Sequence, residues 1–338
     1  MPDTMGTSKR KGRMIMRIDF APMEGVTGYV YRNLHRAHFG GVDRYFSPFL
    51  SPGANRTFTP REARDIDPEN NRGICMIPQI LTNNAADFLW AAEELFARGY
   101  AEVNLNLGCP SGTVTAKGKG SGFLRQRAEL DTFFQEVFEQ MNPEIALSVK
   151  TRVGYANTEE LEALLDVFGK YPIKELIVHP RIRADFYREP VRWEAYERTL
   201  ARCTLPLCYN GDIFKESDYR KLQEHFPGKA SEAVMLGRGL VANPALAEAI
   251  AGEKRTFSRE RLQAFHAELW EAYREAVGGE KNALFKMKEL WFYLGVLFTG
   301  EEKLLKKVKK AKSGVEYEAA VAQLFYEGDF DPKAAYCG

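Results

Sequence analysis

The feature that most constrains the fold is a strand pattern followed by a helix pattern, repeated along the first 250 residues. Apolar runs typical of strands occupy eight segments, which are residues 14–20, 44–49, 74–80, 103–107, 145–150, 175–179, 205–210 and 233–237. Strands that alternate with helices form parallel sheets. Eight such units in about 240 residues match a (β/α)8 TIM barrel, so we predict this α/β fold.

A doubly wound open sheet is the alternative arrangement of alternating strands and helices. That fold, when it binds a dinucleotide, carries a G-x-G-x-x-G sequence after its first strand. The first predicted strand is followed instead by A-P-M-E-G-V-T. The barrel is therefore the favoured architecture.

A different pattern begins after residue 258, where strands stop and helical patterns follow one another to residue 326. These patterns predict a separate all-helical domain. We divide the chain into a flexible N-terminal tail (1–14), a barrel domain (15–250) and a helical domain (251–338).

Composition excludes several classes of protein. The 338 residues carry a net charge of +1, so any electrostatic attraction for a partner must be local. The five cysteines form no C-x-x-C pair and have no histidine at metal-ligand spacing, so we expect neither a metal site nor a disulfide framework. No apolar run approaches the length of a membrane span, and we expect a monomer in a reducing cytoplasm.

Polar residues fall where the predicted strands end. In a barrel of this kind, the active site lies at the carboxyl ends of the strands. A single polar residue there has an ordinary structural explanation, but their accumulation on one face predicts a site. The polar residues concerned are Gln79, Asn106, Cys109, Lys150, Arg152, His179, Arg181, Asn210, Asp212 and Arg238, and Pro22, Met23, Gly211 and Gly237 lie at the same strand ends.

The last two strand ends indicate a phosphate. N-G-D at residues 210–212 and G-R-G at 237–239 offer uncovered backbone N–H groups and an arginine. The loops after the seventh and eighth strands are the usual phosphate site in this fold. We therefore predict a phosphorylated ligand, with a structural turn as the alternative interpretation of G-R-G.

Lys150 and Cys109 are the reactive groups of the predicted site. A lysine beside an extended ligand can stabilise negative charge on a reduced flavin, and a Schiff base is the competing chemistry. Cys109 follows the alternating run 103–107 and precedes a segment rich in glycine and lysine, 112–122. We interpret this segment as a mobile lid, too polar to pack as core; a structural cysteine at a tight turn is the alternative.

Seven sequence blocks resemble those of the tRNA-dihydrouridine synthases. They are A-P-M-E-G-V-T, M-I-P-Q-I, V-N-L-N-L-G-C-P-S, S-V-K-T-R-V-G, V-H-P-R, Y-N-G-D-I and V-M-L-G-R-G, in this order. The resemblance covers residues 15–250 and extends faintly into the helical domain. Gly28 and Pro180 depart from the family pattern, which affects the expected uracil contacts.

The resemblance implies an FMN enzyme that reduces the C5=C6 bond of selected tRNA uridines and takes its electrons from NADPH. Hydride from flavin N5 would go to C6 and a proton from Cys109, the general acid, to C5. Asn106, Arg152 and Arg181 are expected to contact the substrate, with His179 also near the uracil. The resemblance assigns FMN to Pro22, Met23, Gln79, Lys150, His179, Asn210, Gly211, Asp212, Gly237 and Arg238.

A lysine-rich helix predicts where the RNA backbone binds. Residues 281–312 contain nine lysines and three glutamates. Leu304, Val308 and Ala311 would lie on one face of the helix after Glu301, and a cationic face that can track phosphates would lie on another. Its members are Lys303, Lys306, Lys307 and Lys310. A merely solvated helix is the alternative.

Two other functions fit parts of the sequence. A flavin barrel that reduces a free pyrimidine or an enone would share the site but would have no use for a lysine-rich domain. An RNA-binding protein without catalysis would have no need of Cys109 and Lys150. The tRNA position that is modified and the preference for NADPH over NADH stay open.

Overall fold

The computed structural model describes residues 17–53, 55–228 and 233–336. The predicted tail, residues 1–14, lies outside the described residues. The three gaps are residues 1–16, residue 54 and residues 229–232, and the last two residues of the chain are also excluded.

A parallel sheet closes into the predicted barrel. Its strands are β1 (Arg17–Phe20), β2 (Arg44–Phe46), β3 (Met76–Ile77), β4 (Gln79–Ile80), β5 (Glu102–Leu107), β6 (Ala146–Gly154), β7 (Glu175–Ile182), β8 (Leu207–Tyr209) and β9 (Ala233–Leu236). They are hydrogen-bonded in the order β3-β2-β1-β9-β8-β7-β6-β5-β4, all in parallel. The two ends of this order, β3 and β4, are neighbouring halves of one strand, so the ring is nearly closed and the barrel prediction is confirmed.

The third strand is split by Pro78, which has no N–H to contribute to a ladder. Its carbonyl still accepts a hydrogen bond of 2.9 Å from the N–H of Asn104. Within the described residues, the barrel therefore has eight strand positions, as predicted, filled by nine strands.

Helices cover the outside of the barrel. They are α1 (Tyr29–His38), α2 (Pro60–Asp65), α3 (Ala85–Ala97), α4 (Gly112–Thr115), α5 (Arg127–Gln140), α6 (Leu161–Phe168), α7 (Trp193–Arg202), α8 (Glu216–His225), α9 (Arg238–Ala242) and α10 (Leu246–Ala251). Apolar residues at helical spacing, such as Phe88, Ala92 and Leu95 of α3, are fully buried against the sheet. Two short helices follow the last strand, α9 directly after Gly237 and α10 from Leu246, just beyond Pro244.

Among the described residues, four further helices follow the barrel, as the patterns predicted. They are α11 (Arg259–Ala276), α12 (Glu280–Leu294), α13 (Glu302–Lys310) and α14 (Gly314–Glu327). Phe265 of α11 contacts the rings of Tyr31 and Phe39 on the barrel side, and one continuous hydrophobic core includes residues of both parts. No helix among the described residues is long and apolar enough to cross a membrane.

Candidate active site

A cavity of about 830 Å³ opens at the carboxyl ends of the strands. Its volume falls in the range of small-molecule and cofactor sites. Every residue that the resemblance assigned to FMN lines it, together with Asn106, Cys109 and Arg181. The structure thus brings together side chains that are spread over more than 200 residues of sequence.

A chain of buried amides positions the backbone at Cys109. Asn104 donates to the Ser148 hydroxyl over 3.0 Å and accepts from Gln79 over 2.8 Å. Gln79 accepts in turn from Asn106 over 2.7 Å. The side-chain oxygen of Asn106, Oδ1, accepts hydrogen bonds from the backbone N–H groups of Gly108 and Cys109 over 3.0 and 2.9 Å. Asn106 therefore fixes the turn that presents Cys109, and one of its N–H bonds remains available to a ligand.

The thiol of Cys109 is partly buried and stays protonated at neutral pH. Burial raises its pKa, and this outweighs the opposing effects of the Ser111 N–H group and the cations of Arg152 and Lys150. A protonated thiol can act as a proton donor. Cys109 therefore has the protonation state that its predicted role requires.

The end of the segment after Cys109 packs against it, contrary to the expectation that the whole segment is too polar to pack, while Gly112, Thr113, Ala116 and Lys117 are exposed. Residues 120–124 are buried in a short 3-10 helix. Ser121 donates to the Cys109 carbonyl from its N–H (3.1 Å) and from its hydroxyl (2.8 Å). A Cβ on Gly120 would lie 2.9 Å from that carbonyl oxygen, and its φ is +58°. The glycines here permit close backbone packing.

Lys150 extends from β6 into the cavity. Burial, followed by the charge of Arg152, lowers its pKa to about 8. Among the described residues, no carboxylate forms a salt bridge with it. A lysine in this condition is stabilised by an anionic ligand placed beside it.

Two arginines share one carboxylate at the ends of β7, β8 and β9. Arg181 forms a bidentate pair with Asp212 at 2.8 and 2.5 Å, and Arg238 donates to the same carboxylate over 3.0 Å. Two guanidinium groups on one carboxylate leave a net positive charge at the predicted phosphate end.

His179 is buried beside these arginines and is neutral. Burial and the nearby cations, Arg152 first, lower its pKa well below the usual value. Its Nε2 lies 3.0 Å from Nη1 of Arg181. Because a guanidinium can only donate, Nε2 accepts and the ring proton lies on Nδ1. That N–H is available to a ligand of the cavity.

Arg152 has a different environment from the one predicted for a substrate contact. Its guanidinium donates to three backbone carbonyls, those of Gly108 (2.9 Å), Ile182 (2.8 Å) and Phe186 (2.8 Å). It is 1 % exposed and does not line the cavity. Arg152 therefore joins the ends of β5 and β7 behind the site, which corrects its assignment to direct substrate contact.

Several aromatic residues that line the cavity were not predicted from the sequence, because they do not lie at the strand ends. Tyr187 follows β7, and its ring stacks on that of His179 with the two centroids 5.9 Å apart. The Arg238 guanidinium lies 4.6 Å from the centroid of the Tyr187 ring. Tyr293 and Tyr336 reach the cavity from the helical part of the chain. Their signal in the sequence is weak, since each is an isolated aromatic residue outside the strand ends.

The lysine-rich helix has the predicted two faces. Leu304, Val308 and Ala311 are buried, and the four lysines at 303, 306, 307 and 310 are exposed. None of these lysines lines the catalytic cavity. Their contact with RNA remains a prediction.

The fold and the site define a (β/α)8-barrel enzyme with a protonated cysteine and an unpaired lysine in one cavity. A family model described as dihydrouridine synthase matches residues 19–321. The chain therefore belongs to the dihydrouridine synthase family and is an oxidoreductase, as its sequence blocks suggested.

Individual relatives agree with this membership. A tRNA-dihydrouridine(16) synthase of Aquipseudomonas alcaligenes is 28% identical over 77% of this chain and 84% of its own length. The probable tRNA-dihydrouridine synthase 1 of Synechocystis sp. is 30% identical over 82% and 78%. The tRNA-dihydrouridine(16) synthase of Neisseria meningitidis serogroup B is 26% identical over 93% and 95%.

A solved structure shares the fold alone. Histamine dehydrogenase from Rhizobium sp. 4-9 superposes with a TM-score of 0.55 at 9% identity, covering 81% of this chain and 49% of that one.

Proposed function

We propose that this protein is an FMN-dependent tRNA-dihydrouridine synthase that uses NADPH to reduce the C5=C6 bond of uridine in tRNA. The observation that carries the proposal is one cavity containing a protonated thiol, Cys109, and an unpaired lysine, Lys150. Reduction of an activated C=C bond requires both a proton donor and a stabilised source of hydride.

The residues present fit the cofactor. The unpaired Lys150 and the Nδ1–H of His179 are donors in need of an anionic or carbonyl partner. Gly211 and Gly237 line the cavity together with Arg238, and a Cβ on Gly211 would lie 2.7 Å from the Tyr209 hydroxyl oxygen. Pro22, Met23, Gln79, Asn210 and Asp212 complete the set that would hold FMN.

When bound, FMN would supply the hydride that goes to C6 of the uracil. Cys109 holds the proton that goes to C5, and the amide chain through Asn106 fixes the thiol's backbone. Lys150 would offset negative charge on the reduced ring, and Arg181 with Asn106 would orient the uracil. The partial exposure of Cys109 lets solvent return its proton after each turnover.

The substrate is proposed to be tRNA because of the named relatives and the exposed lysine face of α13. A uridine of folded RNA reaches such a cavity only when it is flipped out, and phosphate contacts offset the cost of unstacking. Lys303, Lys306, Lys307 and Lys310 are proposed to make those contacts. Two of the relatives carry position 16 in their names, so mapping starts there. We propose that the enzyme acts as a cytoplasmic monomer.

The test is direct. Purified protein should show a flavin spectrum, should be bleached by NADPH and should convert uridine in unmodified tRNA to dihydrouridine, located by mass spectrometry. A preparation that cannot be loaded with FMN would contradict the cofactor. Equal turnover of free uridine and tRNA would favour the alternative, a reductase of free pyrimidines.

A further inference from the structure

A second cavity, of about 730 Å³, lies beside the catalytic one. It is formed by the loop after β1 with the start of α1, the segment after β2 together with α2, and the facing parts of α11 and α12. Glu24, Val26 and Phe49 line both cavities. The two spaces therefore share a wall, and a chain passing over that wall can occupy both.

The lining of the second cavity is largely apolar and aromatic. Its apolar members are Val26, Tyr29, Val30, Pro48, Phe49, Leu50, Tyr273, Ala276, Val277 and Phe285. Phe285 is 66 % exposed, which is unusual for a phenylalanine on a packed helix. An exposed ring at the edge of an apolar cavity is suited to stacking against a planar group.

Helix α12 connects the two cavities. Phe285 lines the second cavity, while Glu289 and Tyr293, one and two turns further along, line the catalytic cavity. A Cβ on Gly25, in the loop after β1, would lie 3.2 Å from the Glu289 carboxylate. Lys286 donates to the Gly25 carbonyl. The helix therefore packs on the loop that separates the cavities.

The charges around the second cavity suit a phosphodiester. Its carboxylates are already bonded, because Asp65 pairs with Arg32, Glu24 with Arg61, and Glu62 caps α2. Among the described residues, Arg64 and Lys286 instead donate to the backbone carbonyls of Ala276 and Gly25. Within the described residues neither cation forms a salt bridge with a carboxylate, so both can contact an anion.

We propose that the second cavity binds the base of a nucleotide adjacent to the target uridine in the same tRNA. Its base stacks on Phe285, and its phosphate contacts Arg64 and Lys286. The proposal rests on the proposed function, since it takes the uridine in the first cavity as given. Binding of the neighbouring base offsets part of the cost of unstacking it, which helps to hold the target uridine out of the RNA.

The first experiment compares two phenylalanines of α12. Phe285→Ala should raise the Kd and the KM for full-length unmodified tRNA about fivefold to a hundredfold, the effect of losing one base stack. The kcat at saturating tRNA and the rate of flavin reduction by NADPH should stay unchanged. Phe292→Ala is the matched control, because Phe292 is 64 % exposed on the same helix but lines neither cavity. It should change the Kd less than twofold.

Three outcomes would overturn the proposal. Equal losses in both variants would mean that α12 acts as a general surface. Slower flavin reduction in Phe285→Ala would mean that the cavity takes a base of NADPH instead of tRNA. An unchanged Kd would mean that nothing stacks there. If the wild-type protein forms no dihydrouridine at all, the proposed function has failed, which is a different result from any of these.

A second experiment changes the RNA. In tRNA transcripts, the nucleotide on either side of the mapped dihydrouridine position is made abasic. One of the two transcripts should bind the wild-type enzyme at least fivefold more weakly, whereas Phe285→Ala should bind it and the intact transcript equally. Full affinity of the wild type for both abasic transcripts would contradict the proposal.

Discussion

The two ends of the barrel carry similar residues in opposite electrostatic conditions. At the amino ends of the strands, Arg44 contacts three carboxylates, those of Asp19 (2.7 Å), Glu175 (2.6 Å) and Glu102 (3.4 Å). Arg17 and Lys174 complete this cluster, so three cations face three carboxylates. At the opposite end, only Asp212 pairs with any of the inner cations Lys150, Arg152, Arg181 and Arg238 within the described residues.

The difference is visible in the pKa values. Burial lowers the pKa of Arg44, but Asp19, Glu175 and Glu102 together raise it above its usual value. Burial and, after it, the charge of the neighbouring Arg152 act in the same direction on Lys150 and lower its pKa to about 8. The amino ends of the strands, which we call the closed end of the barrel, therefore carry balanced charges that stabilise the fold. The carboxyl ends, which we call the open end, keep a net positive charge to which an anion can bind.

The largest effect is expected for the thiol of Cys109 at the open end, and the thiol of Cys208 near the closed end is the comparison. Cys109→Ala should lower the turnover of tRNA about 10²- to 10⁴-fold, the usual contribution of a general acid, without changing flavin reduction by NADPH. Single-turnover formation of dihydrouridine measures this. Cys208→Ala is the control, since its buried sulfur lies 3.8 Å from the Asp19 carboxylate, away from the cavity. Normal product formation by Cys109→Ala would remove Cys109 from its proposed role.

Removal of the central cation at the closed end should cost the most stability. Arg44→Met leaves three buried carboxylates facing only two cations, Arg17 and Lys174, and should lower the free energy of unfolding by about 3–5 kcal/mol, measured by urea denaturation. Arg202→Met serves as the control, because Arg202 and its partner Asp166 are about half exposed, and its cost should be far smaller. Equal costs would show that the cluster at the closed end has no special importance.

Removal of a cation at the open end should instead stabilise the protein. Without ligand, Lys150→Met should raise the free energy of unfolding near neutral pH by about 1–3 kcal/mol, since the wild-type protein must keep a disfavoured charge. Between pH 8 and 10.5 the folded protein binds fewer protons than the unfolded chain, so the wild type regains this stability as the pH rises through that window.

Urea denaturation at several pH values tests this prediction. Lys221→Met is the control, because Lys221 is exposed on α8, and it should change the free energy of unfolding by less than about 0.5 kcal/mol. A loss of stability in Lys150→Met at every pH would mean that both ends of the barrel are held by charge in the same way. The variant should also bind FMN about tenfold more weakly, through the loss of a charged donor.

Most residues of the open end could be predicted from the sequence, because the carboxyl ends of the strands converge in a closed parallel barrel. Polar residues at strand ends therefore meet at its mouth, and the cavity contains nearly all of them. Arg152 is the exception. Its type and position are those of a ligand contact, but its hydrogen bonds go to three carbonyls, and that choice depends on loop geometry.

Contacts between distant parts of the chain could not be predicted. Periodicity predicts that a helix has a buried face, but it does not say which element covers that face. The tyrosines at 293 and 336 line the cavity only because α12 and the C-terminal segment pack back on the barrel. The glycines after Cys109 show a related ambiguity, since the same residues serve mobile loops and close backbone packing.

The smallest effect is expected for Tyr336, which lies near the C-terminus but lines the cavity at the open end of the barrel. Its segment returns to the barrel, where Asn243 donates to the Pro332 carbonyl over 3.1 Å, and its ring lies 5.7 Å from the Arg238 guanidinium. Tyr336→Ala should weaken FMN binding about two- to fivefold, the effect of a partly exposed cation–π contact, because Arg238 is then less well positioned. Fluorescence quenching of FMN measures this. Tyr326→Ala, whose side chain is 86 % exposed, should have no effect. Unchanged FMN affinity in Tyr336→Ala would confine the open end to the barrel's own residues.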